Sequence, residues 1–144
     1  MISWVAPLLL LAAGPTGQAP AQVTSRSPID RDAAAAVAVV RRYRALLAGH
    51  DEARAQRLWE PQARVAPRER RLTRFGAFTV GTPSRVEPGA GQRYVTVPII
   101  VKSKLRDGTA TRRGAVVLHR VAAEIDGATP AQKRWRIREV RIGD

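Results

Sequence analysis

Apolar positions fall into two rhythms along the chain, a helical one in the first half and an alternating one in the second. From Ala33 to Ala48 the residues are strong helix formers, and Ala36, Val40, Tyr43 and Leu47 recur at spacings that place them on one apolar stripe. Ahead of that stripe, Ser27-Pro28-Ile29-Asp30 supplies a hydroxyl cap, a proline for the first helical position and an acid facing the helix dipole. Gly49 is placed to end this helix. His50-Asp51-Glu52 offers a second start, and Ala55, Leu58 and Trp59 give it a short apolar face before Pro61 stops it, so the two segments predict a helical hairpin. From Arg64 to Arg74, five arginines relieved by Glu69 alone predict a short third helix, solvated around most of its circumference.

After Phe75 and Gly76 the pattern turns to β-branched and aromatic residues. It predicts four strands, Phe78 to Val86, Arg93 to Leu105, Ala110 to Val121 and Arg134 to Ile142. The turn chemistry of antiparallel hairpins separates them: Pro88-Gly89-Ala90-Gly91, Asp107-Gly108, and Asp126-Gly127 within a longer loop to Gln132. On the second strand Val95, Val97, Ile99 and Val101 share one side, and Tyr94, Thr96, Pro98 and Ile100 share the other. A strand apolar on both faces is covered on its back or forms an interface, and we expect a homodimer through the sheet. Trp135 and Ile137 alternate on one phase, Val140 and Ile142 on the other, which predicts a bulge near Arg138 and Glu139. Helices first and sequential strands afterwards define an α+β domain, with N-terminal helices packed on a curved four-stranded antiparallel sheet.

The N-terminal segment reads as an address. No charged side chain precedes Arg26, and the apolar run from Trp4 to Ala13 suits a secretory core of roughly 7 to 15 residues rather than a bilayer span of roughly 20. Ala19 and Ala21 supply small residues for cleavage after Ala21. The expected organisation is therefore a signal peptide over 1–21, a flexible stretch over 22–26 and one domain over 27–144, periplasmic or secreted, without a stable transmembrane anchor.

Charge and cysteine content narrow the chemistry. Lys plus Arg number 25 against 12 Asp plus Glu, for a formal charge of +13, and there is no cysteine. Disulfides, zinc ribbons, thiolate nucleophiles and iron–sulfur clusters are excluded. The cations concentrate in Arg64 to Arg74, Lys102 to Arg113 and Lys133 to Arg141, runs without the interleaved aromatics that stack on single-stranded bases. That argues against nucleic acid as a partner and leaves a salt-sensitive affinity for anionic lipid or other envelope surfaces.

Tyr43, Leu46, Leu47, Gly49, Asp51, Ala55, Leu58 and Trp59 in the hairpin come before Gly81-Thr82-Pro83 and Tyr94-Val95-Thr96-Val97-Pro98. The strand from Gly114 to Arg120 follows, then Gly127-Ala128-Thr129-Pro130 and finally Arg134-Trp135-Arg136-Ile137. This order resembles the nuclear transport factor 2-like (SnoaL-like) superfamily, in particular small exported bacterial members. The resemblance implies a cone in which a curled sheet wraps three helices around a pocket, often dimeric through the sheet. It implies no reaction, because that fold serves enzymes, ligand binders and assembly modules alike.

A proton-transfer enzyme in such a cone needs a shielded carboxylate or imidazole. Most acids fall at helix starts, before turn glycines or before prolines, which leaves Glu139 mid-strand and His119, on the phase of Ala115, Val117 and Val121, as weak catalytic candidates. With two histidines far apart and no HExxH or phosphate-loop pattern, no metal site is expected. Tyr43, Trp59, Tyr94 and Trp135 are the aromatics best suited to line a pocket, since each joins a large apolar body to a polar atom. The expected function is an exported module, free of cofactor, that binds a small apolar ligand or another protein. The alternatives are a cofactor-free isomerase or dehydratase using His119 or Glu139, and attachment to anionic envelope components.

Overall fold

A computed structural model of the chain describes residues 27–63 and 65–143. The segment on which the signal peptide, its cleavage site and the flexible stretch were expected lies outside the described residues. The first helix, α1 (Pro28–Ala48), starts as its sequence requires: the Ser27 hydroxyl accepts from the Asp30 amide, the Asp30 carboxylate accepts from the Ser27 amide, and Pro28 opens the first turn. Its stripe of Ala36, Val37, Val40 and Tyr43 is buried. The end of α1 differs from expectation. Gly49 keeps an ordinary φ of −85°, and the left-handed residue is His50, at φ 59°, with the Asp51 amide bonded back to the Leu46 carbonyl.

Asp51 caps α2 (Glu52–Gln56) by accepting from the Arg54 amide. The arginine-rich segment contributes α3 (Pro67–Thr73), followed by one 3₁₀ turn, Arg74–Gly76. No described helix is long and apolar enough to cross a membrane.

The strands are β1 (Phe78–Val80), β2 (Glu87–Gly89), β3 (Gln92–Leu105), β4 (Gly108–Val121) and β5 (Arg136–Ile142). They form one antiparallel sheet in the order β1-β3-β4-β5, with β2 also paired to β3. The strand expected over Phe78 to Val86 is thus two short pieces. Between them Pro83 has no amide to donate, and the chain keeps to β3 through the Gly81 amide on Pro98 O, the Ser84 amide on Thr96 O and the Ser84 hydroxyl, which accepts from the Thr96 amide. At the other edge, the stretch after α2 runs alongside β5: Trp59 bridges Ile137 in parallel, the Ile137 amide donates to Leu58 O, and the Glu60 amide donates to Ile137 O. That edge is covered at its start, around Ile137.

The helices pack on one face of the sheet. Val95, Val97, Ile99 and Val101 of β3 and Val116 and Leu118 of β4 form a continuous core with Ile137, Val140 and Ile142 of β5 and with Val40, Tyr43, Trp59 and Phe78. Each aliphatic side chain so buried contributes about 1.5–3 kcal/mol relative to exposure. The phase switch in β5 is resolved where the sequence placed it. Ile137 pairs with Leu118 and Glu139 with Val117, so Arg138 is the extra residue of a bulge, and all four apolar side chains of 135–142 turn inward. On the opposite, outer face Tyr94 and Thr96 are half-buried, and Pro98 and Ile100 are exposed.

Candidate functional site

Two grooves meet at the end of the sheet where β4 gives way to the 122–135 loop. The inner one lies between α1 and the start of β5, has a volume of about 540 Å³, and has Ala35, Val39, Leu58 and Trp135 as its apolar wall. Asp32, one turn into α1, fixes its geometry. Its carboxylate accepts from Arg120 Nη2 at 2.7 Å and from the Trp135 indole at 3.1 Å, while the Arg120 guanidinium lies 5.1 Å from the Trp135 ring centre. Arg120 also donates to its neighbour Val121 O at 3.1 Å. This cation is half-buried and neutralised, so it serves to lock helix, strand and Trp135 together.

The rim of the inner groove is different. Arg42, Arg57, Lys133 and Arg134 border it, and none of the four forms an ion pair with a described side chain. Arg136 is used structurally, donating to the carbonyls of Arg57 at 2.9 Å and Trp59 at 3.2 Å. The groove therefore joins an apolar wall to four uncompensated positive charges.

The second groove, about 450 Å³, lies on the outer face and holds His119. His119 Nδ1 is engaged by Glu60 Oε1 and Nε2 by Gln92 Oε1, and the Tyr94 ring packs 4.9 Å away at 32°. Arg138 Nη1 stands 3.9 Å from Glu60 Oε2. The His119 and Glu60 side chains are only 16% and 21% exposed. With both ring nitrogens held by side-chain oxygens, His119 fastens the 58–60 edge to β4 and β3. Its groove opens to solvent and is bordered by Gln62, Gln132 and Arg134.

The aromatic candidates do not share a cavity. Tyr43 and Trp59 meet edge to face at 5.9 Å inside the core. Burial raises the Tyr43 pKa, offset in part by the Thr73 hydroxyl and the Trp59 indole beside it. That indole N–H has no hydrogen bond of good geometry, so its approach to Tyr43 is a weak one. Tyr94 faces outward beside His119, and Trp135 alone borders the inner groove. Glu139 is 48% exposed and accepts from Arg141 Nη2 at 2.8 Å, a bond that holds its carboxyl below the usual range. His50 caps α1 and meets Phe75 edge to face at 5.1 Å.

Among the described residues no group of three His, Asp or Glu side chains could hold a metal ion. Sequence reasoning missed Asp32, Arg120, Glu60 and Gln92. Arg120 carried a usable signal, since it shares the phase of the buried Val116 and Leu118, where an arginine demands a partner. Asp32 and Glu60 carried none, each having a local explanation at a helix start or before a proline. No protein-family model matches the chain, and neither the curated proteins nor the solved structures yield a match.

Proposed function

We propose that the chain is an exported binding module of the nuclear transport factor 2-like type, which holds a small amphipathic anion in the groove between α1 and β5. The ligand class is an apolar body carrying a carboxylate, sulfonate or phosphate. One observation carries this reading: Arg42, Arg57, Lys133 and Arg134 border an apolar wall whose one described acid, Asp32, is taken up by Arg120. Cations left unpaired at the mouth of an apolar groove attract an anion and orient it, while the wall takes the body. Export rests on the uncharged, apolar segment before Arg26. Binding is favoured over proton transfer because both nitrogens of His119 are occupied and Glu139 is an exposed partner of Arg141.

Anilinonaphthalene sulfonate has the required chemistry and reports its own binding by fluorescence. It should saturate at one site per chain, and Arg57→Ala with Arg134→Ala should weaken it by about tenfold, as expected for two rim cations worth up to about 1 kcal/mol each. Equal affinity for wild type and the double variant would contradict the proposal.

A further inference from the structure

The hairpin of β3 and β4 outruns the rest of the sheet. β1 pairs with β3 no further than Val101, and β5 pairs with β4 no further than Gly114. Beyond Lys102, whose amide reaches Ala77 O, and Arg113, whose carbonyl accepts from the Gly143 amide, the two strands pair only with each other. The result is a two-stranded ribbon ending in the turn Arg106-Asp107. Its outer face carries Lys102, Lys104 and Arg113, all exposed, and Arg106 stands at the tip. None of these four forms an ion pair with a described side chain, and Asp107 in the turn is the ribbon's single acid. Between Lys104 and Arg106, Leu105 is 58% exposed.

Two readings of such a ribbon are weakened by its own residues. Lysines along the free edge of β3 and arginines at the base of that of β4 oppose the addition of a further strand from another protein. The ribbon has no aromatic side chain to stack on bases, and an exposed leucine gains nothing from a phosphate backbone. A lipid bilayer satisfies both features together, because phosphates at the headgroup level meet the cations and the apolar boundary beneath them takes the leucine.

We propose that the β3–β4 ribbon is an arm that docks end-on to an anionic bilayer, with Leu105 entering the interface and Lys102, Lys104 and Arg106 meeting lipid phosphates. The arm is independent of the ligand groove, which lies at the opposite end of β4. The full chain can be co-sedimented with phosphatidylcholine vesicles with and without about one third phosphatidylglycerol. Segment 1–26 is common to every variant, so differences between variants report the ribbon.

With anionic vesicles, Lys102→Glu with Lys104→Glu should lower the partition coefficient by at least about tenfold, since each cation near the surface is worth about fivefold. Leu105→Ser should lower it about threefold at unchanged charge. The tryptophan emission that Leu105→Trp adds over wild type, which already has Trp4, Trp59 and Trp135, should shift to the blue on anionic vesicles and stay unshifted on phosphatidylcholine alone. As a control, Arg70→Glu with Arg71→Glu makes the same charge change on exposed positions of α3. An equal loss in that control would assign the affinity to net charge and overturn the arm. So would retention on duplex DNA that depends on Lys102 and Lys104 but not on Leu105, with no emission shift on vesicles.

Discussion

His50 occupies a conformation that a β-carbon disfavours, and it does so because α1 must turn sharply into the Asp51 cap. Gly49 drew attention in the sequence as the residue that ends helices, yet the turn falls one position later. The chain tolerates this because the imidazole packs on Phe75. His50→Gly relieves the backbone but loses the ring contact and loosens the unfolded chain, so these terms nearly cancel and stability should move by less than about 1 kcal/mol, read as a urea midpoint close to that of wild type at unchanged slope. Tyr43 is legible from the helical stripe, but its environment is not, since Thr73 and Trp59 come from other segments. Its raised pKa makes a signed prediction. The folded state holds the phenol protonated, so the contribution is complete below the ordinary value near 10 and is lost as pH rises through the elevated folded value. Urea midpoints followed from pH 9 upward should therefore fall in alkali more steeply for wild type than for Tyr43→Phe.

At the scale of elements, the sequence was most legible where packing and local chemistry agree. The box at Ser27 and Asp30 and the stripe of α1 appear as their residues dictate, while the hairpin turn expected at Asp107-Gly108 falls one residue earlier, at Arg106-Asp107, because Gly108 still pairs with Leu105. The bulge was legible for the same reason: two apolar pairs on opposite phases cannot both face the core without one extra residue. Its role can be tested by comparing two changes at Arg138. Arg138→Ala keeps the register and removes only an exposed side chain near Glu60 and Tyr94, so it should cost less than about 1 kcal/mol. Deleting Arg138 turns either Trp135 and Ile137 or Val140 and Ile142 toward solvent, and should cost at least about 3 kcal/mol by thermal unfolding. The split of the expected first strand was less legible, because Val86 and Phe78 belong to one alternating pattern and only Gly81 and Pro83 mark the gap.

For the molecule as a whole, the order of helices and strands is enough to define an α+β domain with its helices on one face of an antiparallel sheet. The site is another matter. Asp32 meets Arg120 and Trp135, and Glu60 meets His119, across separations of tens of residues that no local pattern encodes. Parity placed His119 correctly with Ala115 and Val117, but the sequence could not say that this phase looks away from the helices. Nor could it distinguish the cations of the groove rim from those already paired, which is a property of distances alone.

The central claim is that the groove between α1 and β5 is where a small amphipathic anion binds. It is tested most directly by mapping amide and indole shifts in a ¹⁵N-labelled chain as anilinonaphthalene sulfonate is added. The account predicts that the largest shifts fall on Ala35, Val39, Arg57, Leu58 and Arg134 and on the Trp135 indole, whose proton is held by Asp32. Shifts confined to the outer groove around His119 and Gln92, or spread evenly over the basic surface, would contradict it.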